Sequence, residues 1–367
     1  MRIGVDARSL SVSLTGIGRY TYELCKALAE HGHEIVLYSP NKLLVDKFNH
    51  PLIQVKTSTI KNRTLGLIWF QFFLHKRLKK DSLDVFWGTA HKLPFFLPSS
   101  IIKLVTIHDL VWAYAGTTMR TLNKISESLL MPYAINHADW IITVSDSTGD
   151  ALISKYPYVS KKVSTVYPGV TQLPPPLGFD FLLKMHIHTP YCLFVGTQEP
   201  RKNLYGLISA FAKIIQMNDI YVQLVLVGTS GWGNNNIKKH IQNLNIEKYV
   251  IITGYVTDTE LSTLYHHARF LAMPSFYEGF GFPIVEAMSA GVPVLTSNNS
   301  SMPEVVGNAG IIVDPNNHEA IVAGMMDLFC NDSIHKKLKK NTLANANRFN
   351  WKTSANYVHR LLNKLSH

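Results

Sequence analysis

The chain has 367 residues, 46% of them hydrophobic and 17% charged; it is long and apolar enough for two folded domains, which excludes a disordered or fibrous class. Its formal net charge of +11 suits anionic partners such as phosphorylated metabolites, nucleic acid or an acidic membrane. Cys25, Cys192 and Cys330 are far apart, with no metal-ligand spacing, so the chain reads as reduced and cytoplasmic.

In chain order, "RIGVDA" reads as a strand rather than part of a signal peptide. "IGRYTYELCKALAEHG" reads as an amphipathic helix ended by Gly32, and "EIVLYS" as the next strand. "TLGLIWFQFFLHKRLKK" is helical in pattern, and its apolar part is too short to span a bilayer. Two readings stand for it: a helix packing its aromatics on the first sheet, or a basic amphipathic contact to an anionic membrane. "DVFWG", "IIKLVTIHD" and "WIITVSD" are further strands. Such alternation predicts a parallel sheet with helices on both faces.

Pro174, Pro175 and Pro176 break the pattern within 170–180 and predict a linker. The alternation then restarts with the strands "YCLFVG", "VQLVLVG", "VIITG", "FLAMPS", "VPVLTS" and "AGIIVD". Between them "NLYGLISAFAKIIQ", "IKKHIQNLN", "DTELSTLYHHA" and "PIVEAMSAG" read as helices. The expected division is residues 1–172, residues 173–346, and a closing helix over 347–367 that packs back on the first domain. Two doubly wound α/β domains facing a cleft put ligands on the loops after the strands.

Those loops carry the chemistry. "SLTGIGRY" places Gly16 and Gly18 before a helix N-terminus, where backbone can approach an anion. It lacks the third glycine and the acidic residue of a dinucleotide fingerprint, which argues against NAD. His108 and Asp109 follow directly on an apolar strand. Arg201 and Lys202 stand at a helix entry, an arrangement suited to a diphosphate. Gly254 and Tyr255 end another strand, with Asp258 as the expected cap of the next helix. "VGTSGWG" is a Gly-rich loop of weak signal. In "PSFYEGFGFPIVEAMSAGVPV", Glu278 precedes a helix opened at Pro283, and Glu286 lies in its first turns. The two carboxylates need not meet; they can flank a ligand whose phosphate rests on the helix start. No P-loop, HExxH, G-x-S-x-G or DxD motif occurs, so no metal is expected.

"EPRKN" followed by the Glu, seven residues, Glu signature resembles the retaining GT-B glycosyltransferases of family four. "GVDARSL…TGIGRY", "DVFWGTAHKLP", "TIHDL" and "VSDST" are similar to the bacterial mannosyltransferase branch, which builds O-antigen and other surface polysaccharides. The resemblance implies an acceptor-side first domain and a nucleotide-sugar-binding second domain. It implies that Glu278 contacts donor-sugar hydroxyls and Glu286 the ribose. Arg201 and Lys202 would bind the diphosphate, aided by the backbone at Phe280, Gly281 and Phe282. His108 would lie near the anomeric carbon, Gly16 and Gly18 near the phosphates, and Gly254 and Tyr255 beside the base. Thr197 stands where many relatives have an arginine, which leaves most of the guanidinium contact to Arg201.

The function expected from this is metal-independent, retaining transfer of a hexose to a lipid-linked or oligosaccharide acceptor. GDP-mannose is the expected donor, there is no cofactor, and the enzyme is peripheral at the inner face of a membrane. The competing readings are a UDP-sugar donor, a sugar-nucleotide epimerase of the same shape, and a sugar-nucleotide-binding partner without turnover. No basic, aromatic-studded module of a nucleic-acid reader is present.

Overall fold

The computed structural model describes residues 1–11, 16–44, 48, 50–60, 62–188, 190–217, 220–231 and 236–366. The chain forms two compact units: Met1–Tyr114, Thr121–Gly169 and Asn350–His367 in the first, Ala115–Arg120 and Val170–Phe349 in the second.

The first unit is built on β1 (Arg2–Asp6), β2 (Glu34–Ser39), β3 (Ile53–Thr57), β4 (Val85–Gly88), β5 (Ile102–Ile107), β6 (Trp140–Thr143) and β7 (Val163–Thr165). They pair in the order β3-β2-β1-β4-β5-β6-β7, every pair parallel. Helices α1 (Gly16–Glu30), α2 (Arg63–Ile68), α3 (His75–Leu78), α4 (Val111–Tyr114), α5 (Thr121–His137) and α6 (Asp146–Lys155) connect them. Central strands of a parallel sheet are covered on both faces, so they read as unbroken apolar runs; β4 is buried throughout. Edge strand β3 is mostly exposed, and its "IQVKT" shows no such run.

The stretch between β3 and β4 is neither wholly packed nor wholly amphipathic. A π-helical turn, Trp69–Phe73, lies between α2 and α3. The wider turn shifts the register of the side chains. Trp69, Phe70, Gln71 and Leu74 face inward, while Phe72 and Phe73 remain 45% and 50% exposed.

The second unit carries β8 (Tyr191–Val195), β9 (Gln223–Val227), β10 (Val250–Gly254), β11 (Phe270–Met273), β12 (Val294–Ser297) and β13 (Gly310–Val313). Their order is β10-β9-β8-β11-β12-β13, again all parallel. Its helices are α7 (Asp180–Lys184), α8 (Leu204–Met217), α9 (Ile237–Asn243), α10 (Asp258–His267), α11 (Phe282–Ser289), α12 (Met302–Val306), α13 (His318–Cys330) and α14 (Asp332–Ala346). Phe194, Phe211, Leu224, Phe270 and Leu328 are among the residues of its core. Thr257, not Asp258, caps α10: Glu260 answers it in a reciprocal capping box, and Asp258 is the first helical residue.

The last helix, α15 (Trp351–Leu365), returns to the first unit. Asn350 caps it by accepting from the backbone of Lys352 and Thr353. Trp351 meets the Tyr20 ring edge-on at 6.0 Å, and Ser354 Oγ donates to the Tyr167 carbonyl at 2.5 Å. No helix among the described residues is long and apolar enough to cross a membrane.

In both sheets the strand order reverses beside the first strand, between β1 and β4 and between β8 and β11. Crevices for ligands open at the carboxyl ends of strands at such points.

Candidate active site

In the second unit the reversal point brings together the loops that follow β8 and β11. The first loop turns through Pro200–Lys202 into a left-handed Asn203, whose amide donates to the Pro315 carbonyl at 2.9 Å. The backbone N–H of Phe276 donates to the Arg201 carbonyl at 2.8 Å, tying the two loops together.

Glu278 is the hub. Its Oε2 accepts from Arg201 Nη1 at 2.7 Å, and its Oε1 from Lys202 Nζ at 2.5 Å and Ser275 Oγ at 3.1 Å. Arg201 also donates to Glu199 at 2.9 Å and to the Tyr277 carbonyl at 3.2 Å. Glu278 and Lys202 are each only 6% exposed. Burial pushes the Glu278 carboxyl up, but Arg201 and Lys202 outweigh it and hold the group at about 2. Burial lowers Lys202, and Glu278 opposes that. One carboxylate thus pairs with both cations.

The loop carrying Glu278 is held by serines that the sequence did not single out. Ser300 Oγ accepts from the Glu278 backbone N–H at 2.9 Å. Ser301 Oγ lies 3.0 Å from the Glu278 carbonyl and 3.1 Å from that of Phe280. Ser297 donates to the Ser275 carbonyl at 2.6 Å. Phe280 is wedged between Phe282 and Phe349, with centroids 5.2 and 5.3 Å away. Gly281 starts α11 at φ +94°, where an added Cβ would lie 3.1 Å from Ile284 Cδ1. That left-handed conformation suits glycine.

Glu286 lies inside α11, 9% exposed, and accepts from the Tyr265 hydroxyl at 2.8 Å. The two glutamates thus have separate partners. Gly254 closes β10 at φ +72° with open space around it, and Tyr255 beside it is 72% exposed. Trp232 and Gly233 of the Gly-rich loop lie outside the described residues.

In the first unit, His108 follows β5 and is 6% exposed. Its Nε2 lies 2.8 Å from the Thr89 carbonyl. A carbonyl only accepts, so Nε2 carries the proton and Nδ1 is the accepting nitrogen. Burial, reinforced by His91, lowers His108 to about 3; at neutral pH it is an uncharged hydrogen-bonding group. Tyr20 meets it edge-on at 4.8 Å. His91 was not foreseen. It lies 5.4 Å from His108 between ring centroids, at a left-handed φ of +64°, with Nδ1 4.0 Å from Glu127 Oε2. Lys92 is paired with the same Glu127. Gly16 and Gly18 are part of the first turn of α1 rather than of a loop before it, because the helix begins earlier than its apolar pattern suggests. Residues 13–15 of that motif are outside the described range. Gly18 helps line a cavity of about 370 Å³ with Arg8 and Lys92, where Arg8 forks the Asp6 carboxylate at 2.8 and 2.7 Å.

The model "Glycosyltransferase Family 4" matches residues 14–171, and "Glycosyl transferases group 1" matches residues 187–344. The O-antigen chain mannosyltransferase B of Escherichia coli is 32% identical, with 96% of each chain covered. The O-antigen chain mannosyltransferase RfbU of Salmonella typhimurium is 25% identical over 86% of this chain and 88% of its own. Among solved structures, the sucrose-phosphate synthase of Thermosynechococcus elongatus superposes with a TM-score of 0.80 at 21% identity, covering 100% of this chain and 99% of its own. WaaG, a glycosyltransferase involved in lipopolysaccharide biosynthesis, does so with a TM-score of 0.78 at 16% identity, covering 99% of each. The chain is a GT-B glycosyltransferase and belongs to glycosyltransferase family 4.

Proposed function

We propose that this enzyme transfers mannose from GDP-mannose, with retention at the anomeric carbon, to a lipid-linked or oligosaccharide acceptor in surface-polysaccharide synthesis. The observation that carries the chemistry is the convergence of Arg201, Lys202 and Glu278 at the reversal point of the second sheet. A buried lysine and a partly buried arginine held by one displaceable carboxylate suit a leaving nucleoside diphosphate. Charge that develops on departing phosphate is stabilised by groups already in place, and such electrostatic preorganisation is commonly the largest catalytic contribution. In this reading the carboxylate, once displaced, turns to hydroxyls of the donor sugar. Glu286, oriented by Tyr265, takes the ribose hydroxyls. His108 offers an uncharged nitrogen to a sugar hydroxyl; lowered to about 3, it is unsuited to act as a general acid at neutral pH. The departing phosphate itself then takes the acceptor's proton, and no step calls on a metal.

Mannose as the transferred sugar is supported by the mannosyltransferase relatives. A UDP-sugar is the alternative donor. Calorimetric titration with GDP and UDP, followed by NMR of the product, tests both points. Tighter GDP binding and a retained anomeric configuration support the reading. Tighter UDP binding overturns the donor, and an inverted linkage overturns the mechanism.

A further inference from the structure

The loop after β4 holds a histidine in a conformation that the fold alone does not call for. Gly88 opens the loop where no side chain fits: an added Cβ would lie 2.1 Å from the Lys92 carbonyl oxygen. Thr89 Oγ1 donates to the Asp6 carbonyl at 2.7 Å, and the His91 backbone N–H donates to the Thr106 carbonyl at 3.1 Å. The loop is thereby tied to β1 and β5. His91 is left at φ +64°, a region that residues other than glycine enter uncommonly and at a cost in free energy. Its side chain is only 8% exposed.

Beside it two polar atoms are unmatched. Among the described residues, His91 Nδ1 and Glu127 Oε2 are buried and make no hydrogen bond. They lie 4.0 Å apart, beyond hydrogen-bond reach. The other Glu127 oxygen is bonded by Lys92 Nζ. Buried polar atoms are nearly always satisfied, so this pair requires an explanation. Its surroundings supply one. Ala90 and Lys92, on either side of His91, line the cavity of about 370 Å³ together with Ser9, Ser11 and Asn41. That volume falls in the range of small-molecule sites, about 300–1,000 Å³. The His108 ring lies 5.4 Å from the His91 ring.

We propose that His91 and Glu127 form a binding pair for a sugar hydroxyl. Nδ1 carries the ring proton and donates it to Glu127 Oε2 once the gap closes. That bond fixes the ring and leaves Nε2 as an acceptor, into which a hydroxyl donates. Glu127 is thus a positioning residue that acts through His91. A phosphate is the wrong partner, since a neutral ring lone pair backed by a carboxylate repels it. The cavity's cations are also already paired, Arg8 with Asp6 and Lys92 with Glu127. The hydroxyl is one beside the reacting centre, because the attacking hydroxyl gives its proton to the departing phosphate. It belongs to the donor hexose or to the acceptor glycan. The inference rests on the reading of this enzyme as one that transfers a hexose from a nucleotide sugar.

H91N tests the pair: asparagine tolerates the left-handed backbone but lacks the ring nitrogen. The donor used is GDP-mannose or UDP-glucose, whichever the wild type hydrolyses faster, so a wrong donor assignment does not decide the outcome. Melting within about 3 °C of wild type reports a folded variant, and affinity for the free nucleoside diphosphate should be unchanged. If the hydroxyl is the donor's, calorimetric affinity for the intact donor and its hydrolysis should both fall about tenfold. If it is the acceptor's, hydrolysis should persist while the KM for octyl α-mannoside rises about tenfold. E127Q should shift the same quantity in the same direction, and H91N/E127Q should be no worse than H91N alone. H91N matching wild type in every arm overturns the site. Equal losses for intact donor and free nucleoside diphosphate overturn the sugar as its ligand. Fully additive losses in the double variant overturn the pairing with Glu127.

Discussion

Replacing Glu278 with Gln removes one negative charge from between two cations and leaves the shape unchanged. The structure sets opposite expectations for the empty and the loaded enzyme. In the empty enzyme, Lys202 and Arg201 lose the carboxylate they hold at 2.5 and 2.7 Å, with the Lys202 side chain only 8% exposed. Removing one partner of a buried pair costs about 3–5 kcal/mol, and Arg201, at 22% exposure, argues for the low end. For a unit of this size, about 3 kcal/mol corresponds to a fall in melting temperature of roughly 6–12 °C. A diphosphate binding the variant no longer displaces an anion, so GDP or inorganic pyrophosphate should bind about tenfold more tightly, or about 1.4 kcal/mol. Turnover of the intact donor should fall about 10²–10³-fold, since the proposed contact to the sugar would be gone. Differential scanning fluorimetry with and without GDP, calorimetric titration, and single-turnover kinetics read the three quantities. Unchanged melting together with unchanged GDP affinity would refute the idea that Glu278 occupies the phosphate-binding cations.

Glu286→Ala should act on binding instead. Losing the proposed charge-assisted bonds to the nucleotide would cost about 1.5–3 kcal/mol, so GDP affinity should fall about 10–100-fold with kcat at saturating donor largely kept; a loss confined to kcat contradicts the division of roles. Gly281→Ala forces a Cβ into a backbone at φ +94° and should lower stability by about 1–3 kcal/mol, measured by urea denaturation. Stability should also fall as pH drops from 6.5 to 5. Burial, with the nearby N-terminus, lowers His33 to about 4, and burial with His91 lowers His108 to about 3. Both lie below the ordinary 6.5, so the unfolded chain takes up these protons first. Their stabilisation is complete above about 6.5 and is lost as pH falls toward 4 and 3, amounting at pH 5 to at most about 2 kcal/mol for each histidine and about 4 kcal/mol for the pair. Glu278, at about 2 against an ordinary 4.5, adds its own loss only below that range. His33→Asn should flatten the slope, and a slope left unchanged counts against this assignment.

The strands of both sheets were legible because a parallel sheet covered on both faces demands continuous apolar runs. Where that demand lapses, so does the signal. Edge strand β3 is largely exposed, and β7 is only 3 residues long. Helix α5 hides for another reason: Leu122, Ile125 and Leu129 point outward and Pro132 interrupts the pattern. The closing helix packs within the first unit through Trp351 and Ser354. At the site, the residue types in "EPRKN" and around Glu278 were visible. Their mutual pairing was not, since Arg201 and Glu278 are 77 positions apart and only the order β8–β11 joins them. The serine ties of Ser300 and Ser301 and the left-handed His91 depend on backbone geometry that residue identity alone does not encode.

The central claim is that Arg201 and Lys202 stabilise the diphosphate leaving from GDP-mannose. It is tested most directly by single-turnover release of GDP from GDP-mannose by the wild type and by Lys202→Met. The account predicts release by the wild type and at least about a hundredfold slower release by the variant, with UDP-glucose a poor substitute. Equal rates for the two proteins, or faster turnover of the UDP-sugar, would contradict it.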